Sequence, residues 1–184
     1  MSQISHWVII FIILATAITQ TEEKKVSEYT DADKMHHYMG IEMNIQTWNL
    51  LGNDDRNEQD DVRMIHFAKA SLYHWLKSPK FEPVNEQRGY WMMSRVYAVL
   101  GKGKEALQYA DETMRLTTEH EFKDFDLAYA YESKARAYAA LGNNPDCIHW
   151  YQKAVDAGKE IKGVEDKKYF DGDLLSEPWF SCKP

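Results

Sequence analysis

Apolar positions in this chain recur every three or four residues, the period of a helix with one face turned inward, and strand signals are missing. Met35, Met39 and Met43 form one such stripe, expected to face a second helix from Val62 to Lys77 that carries Ala68 and Ala70. Three helical stretches end alike, at Leu51-Gly52, Leu100-Gly101 and Leu141-Gly142, and three residues before each leucine stands a large aromatic: Trp48, Tyr97 and Tyr138. That spacing puts ring and leucine on one helical face. Beyond Gly101 and Gly142 the helical pattern resumes within two residues. Glycine can adopt the left-handed conformation that closes a helix, Asn144 is placed to cap the next one, and Pro145 suits its first turn. Each Leu-Gly therefore predicts the bend of a helical hairpin. Gly101-Lys102-Gly103 is read the same way, because it lacks the preceding strand and the full spacing of a phosphate loop. Pro79 and Pro83 separate the first hairpin from the second, since proline inside a helix costs about 3 kcal/mol.

The hairpins repeat. Aligned on their glycines, Tyr90, Ser94, Tyr97, Gly101 and Ala106 correspond to Tyr131, Ala135, Tyr138, Gly142 and Cys147, the last standing where a crossing alanine is usual, and Ala154 follows on the third pair. These positions resemble the signature of the tetratricopeptide repeat (TPR), in which small residues mark the helix crossing and aromatics the stacking. The intervals between glycines, 49 residues from 52 to 101 and 41 from 101 to 142, exceed the 34 of that family. The excess falls in Thr117 to Asp126 and in the acidic loop Gly52 to Asp61. The span Met35 to Phe180 is also similar to a family of small uncharacterised bacterial TPR-like proteins, through RMIHFAKASLYHW and DFDLAYAYE, a family that brings no activity with it. The resemblance implies an all-α domain over residues 34–180: three antiparallel helix pairs stacked as a short superhelix, with Glu165 to Trp179 folding back as a C-terminal cap over Trp150 and Val155.

The termini add a compartment. Trp7 to Ile18 is an apolar run of 12 residues, against about 20 for a bilayer-crossing helix, and Ala15-Thr16-Ala17 offers a small-x-small cleavage site. Residues 1–21 are thus expected to be a signal peptide or hydrophobic leader and 22–33 a polar linker, making the chain exported. Met1 to His6 has no Lys or Arg, which leaves membrane anchoring by residues 7–18 as the alternative. Cys147 and Cys182 either form one bridge, as export permits, or stay as two thiols. A net charge of −7 with no basic stripe opposes nucleic-acid binding.

Function follows the repeats. The TPR resemblance implies a concave groove lined by the first helix of each pair, with Glu42, Gln46, Trp91, Arg95, Glu132 and Arg136 at its positions. Arg95 and Arg136 are expected to grip carboxylates of a protein or peptide partner, and Trp91 to anchor it. Glu132 four residues before Arg136 also allows a simple intrahelical pair. The competing class is a metal-binding or hydrolytic helical bundle using His37, Glu42 and His66 of the first pair. The separation of His66 from His74 by a little over two turns, and the lack of a His-Glu-x-x-His pattern, count against it. No catalytic motif and no cofactor signature is found.

Overall fold

The structure, a computed structural model, describes residues 29–182; the leader and most of the polar linker lie outside that range. Among the described residues there are seven helices and no strand: α1 (Asp31–Leu51), α2 (Glu58–Lys77), α3 (Pro83–Val99), α4 (Gly103–Glu119), α5 (Asp124–Leu141), α6 (Asn144–Lys159) and α7 (Val164–Leu175). No helix among them is long and apolar enough to cross a membrane.

Helix starts are set by caps. Thr30 accepts from the Asp33 amide at 3.1 Å while the Asp33 carboxylate accepts from the Thr30 amide at 2.9 Å, so α1 begins inside the expected linker. Asn57 and Asp60 make the same reciprocal pair at the head of α2. The second helix therefore starts four residues before Val62, and part of the expected acidic loop is helical, its carboxylates favourably placed at a helix N-terminus. Gly101 (φ +68°) and Gly142 (φ +73°) take the left-handed conformation, whereas Gly52 (φ −84°) does not. Asn143 caps α6, one residue earlier than Asn144.

α1 packs on α2, α3 on α4 and α5 on α6; α2 also packs on α3 and α4 on α5, and α7 lies across α5 and α6. This is a stack of helix pairs. Ala106, Ala110, Ala135, Cys147 and Ala154 are fully buried, which lets neighbouring helices approach. Met64, Met92, Met93 and Val96 fill the centre of the core. Met35 departs from the expected stripe: it is exposed, while Met39 and Met43 are half-buried. At the open end of that hairpin the contacts are polar instead, with His36 Nδ1 2.9 Å from His74 Nδ1 and His37 Nδ1 3.2 Å from Ser78 Oγ.

The cap is built as α7 plus a tail. Phe170 presses into α6 where Gly158 has no side chain, so the glycine that weakens the helix is what admits the ring. Trp150 packs on Tyr131 (centroids 5.8 Å apart), while Trp179 of the tail meets Tyr151 one position further round α6 (5.0 Å). Cys147 and Cys182 are bonded and fully buried, tying the tail to the first turn of α6.

Candidate functional site

α1, α3 and α5 line one side of the stack, and that side is partly filled by the chain's own end. Glu132 is 0% exposed and lies at the centre of the filled region. It accepts from Trp91 Nε1 at 3.0 Å, from Arg95 Nη1 at 2.6 Å and from Arg136 Nε. Arg136 Nη2 donates to the Asp173 carbonyl (2.6 Å) and the Ser176 carbonyl (3.0 Å), and its guanidinium lies over the Trp179 ring at 4.1 Å. Arg95 reaches the Ser176 hydroxyl as well. The two arginines expected to grip a partner's carboxylates are thus spent on Glu132 and the C-terminal tail, and Trp91 and Arg95 are buried rather than surface anchors. A buried charge needs a partner, and the nearest partners are internal.

The electrostatics agree with that reading. Burial pushes the Glu132 carboxyl up, but Arg136, Arg95 and the Trp91 N–H outweigh it and hold the group below its ordinary value. Burial lowers Arg136, with the Glu132 charge pulling the other way. Burial raises Asp173, with the Tyr129 hydroxyl, which donates to it at 2.7 Å, pulling the other way. Tyr129 itself is pushed far up, first by burial and then by Asp173, so it remains a donor.

The open part of the groove lies one helical turn nearer the N-termini of α3 and α5. There a hollow of about 630 Å³ is lined by Trp48, Trp91, Met92, Phe125, Tyr129 and Tyr169, with Gly172 and Asp173 of α7 on its far wall. The volume is typical of a ligand site. It exists because α3 packs directly on α5 while α1 makes little backbone-close contact with α3, and the Trp48 ring meets Trp91 across the gap at 5.8 Å. On the rim Arg88 holds Asp126 through two bonds, 2.7 and 3.1 Å, leaving that pair neutral overall. A second hollow, of about 530 Å³, lies between the end of α1, α3 and the tail, and shares Trp48 and Asp173 with the first. Arg95 is on its wall, and Arg95 Nε is the buried side-chain donor among the described residues with no hydrogen-bond partner.

Glu42 and Gln46 bond to each other at 2.8 Å on α1 and line neither hollow. The alternative metal set is not gathered: His37 faces Ser78, Glu42 holds Gln46, and His66 is exposed on α2. No group of three His, Cys, Asp or Glu among the described residues is placed to hold an ion. His36 and His74 do meet, and burial, then the His36 charge, lowers His74. Sequence reasoning missed Phe125, Tyr129, Tyr169 and Asp173. The i, i+4 pair Phe125 and Tyr129 on the face of α5 was the available signal; nothing local announces that α7 forms a wall. No family model matches this chain, and neither a curated protein nor a solved structure matches it.

Proposed function

We propose that this chain is an exported, TPR-type binding module that holds an extended segment of a partner protein along its concave side. The carrying observation is the pair of adjoining hollows partitioned by Trp48 and Asp173. An extended peptide sets alternate side chains about 7 Å apart on one face, so it can seat one apolar side chain in the aromatic hollow and the next beyond Trp48. A compact small molecule would use one hollow and leave the other. Trp91 is the floor of the site, held rigid by Glu132, so truncating it would damage the fold along with binding.

Gly172 allows a cleaner test. It lines the larger hollow, and a Cβ added there meets nothing within 4 Å. Peptides selected by display against the purified protein are titrated by tryptophan fluorescence. Gly172→Leu should fill the hollow and weaken them by more than about tenfold, while adding helix stability of up to about 1 kcal/mol. Lys102→Ala, in the turn after α3, should bind as the parent does. Unchanged binding by Gly172→Leu would remove the groove reading.

A further inference from the structure

Apart from Trp48, whose ring also meets Trp91, one face of α1 has no partner among the described residues. Met35, Tyr38, Ile41, Ile45 and Trp48 run along it at spacings of three, three, four and three residues, and all are exposed, from 37% for Trp48 to 61% for Tyr38. At about 100° per residue this stripe lies opposite Gly40 and Thr47, which are buried. Gly40 sits directly against Trp75 of α2, so the stripe points away from α2. A helix apolar on both sides is built to be covered on both sides.

We infer that this stripe is the contact between two copies of the chain, with α1 packed antiparallel on α1 of the second copy about a two-fold axis near Ile41. The spacing supports the self-match. Reversed end to end about a point between Ile41 and Glu42, Met35 falls opposite Trp48 and Tyr38 opposite Ile45, and the two copies of Ile41 lie one residue apart along the pair. The same patch serving both partners is what a two-fold interface requires. The area is of the right order: the exposed parts of the five side chains amount to about 500 Å² per copy. Two copies would cover about 1,000 Å² before any rim contact, close to the lower end of about 1,200–2,000 Å² for specific interfaces. Ile41 and Ile45 line neither hollow, so this contact can fail while the groove reading stands, and the reverse.

Sedimentation of the exported chain over about 1 to 100 μM, with its N-terminus read by mass spectrometry, tests the inference. The expected mass is that of a dimer at the upper end. Ile45→Glu, a change at an exposed position, should keep the helical circular-dichroism spectrum and raise the dissociation constant by on the order of 100-fold, because each copy buries the new charge. The register has its own check. Under mild oxidation Ile41→Cys should form a covalent dimer, whereas Met35→Cys should not, since its counterpart in the second copy lies about 20 Å along the pair. A monomer throughout, with leader retained or removed, overturns the inference, as does a dimer indifferent to Ile45→Glu.

Discussion

Glu132 is the residue on which most depends, because three donors from α3 and α5 converge on one carboxylate sealed from water. Glu132→Gln removes the charge and leaves two buried guanidinium groups facing each other. Loss of about 3–5 kcal/mol is expected, read by urea denaturation at neutral pH. The acid dependence carries the sign. Because the folded carboxyl is held below its ordinary 4.5, its contribution is complete above that pH and is lost as the pH falls through the lower, folded value. The parent should therefore lose stability in acid more steeply than Glu132→Gln. Glu132, Arg95 and Arg136 stand out in the sequence as charges on an alanine-rich or apolar background. What the sequence withheld is the direction they face, since the tail that turns them inward lies up to 81 positions away.

At the scale of elements, the hairpins were legible because their signals are local. Leu-Gly closes the second and third first-helices, Pro83 opens α3, and small residues mark the crossings. The acidic stretch before α2 was misread for an equally local reason: a run of Asp, Asn and Glu looks like a loop by composition, yet Asn57 with Asp60 is a capping box. The docking of α7 could not be read locally, although Gly158 and Phe170 were both in view. Gly158→Ala tests that joint. Its new methyl would occupy the space of the Phe170 ring, so α7 must shift at a cost of about 1–3 kcal/mol, seen as a lower thermal midpoint. The groove wall made by Tyr169, Gly172 and Asp173 should move with it.

The whole molecule is a stack closed at one end by its own covalent tie. The Cys147–Cys182 bond encloses 35 positions, for which chain entropy gives about 3–4 kcal/mol. Cys182→Ser should lose about that much in urea denaturation and loosen Trp179 from Arg136, with a red shift of tryptophan emission as the check. From sequence the two cysteines supported a bridge or free thiols equally, because the approach of residue 182 to α6 is a property of the assembled stack. The same holds for the site: aromatic positions were visible singly, but the hollow needs α1, α3, α5 and α7 in place together.

The scant backbone contact between α1 and α3 has one more consequence. The second and third hairpins are joined along two seams, α3 with α5 and α4 with α5, while the first hairpin is joined to the rest chiefly along one, α2 with α3. A body fastened on a single edge swings about that edge. The gap between Trp48 and Trp91 is therefore the dimension of this molecule that yields most readily, widening as one hairpin tilts while the charge-locked floor beneath stays fixed.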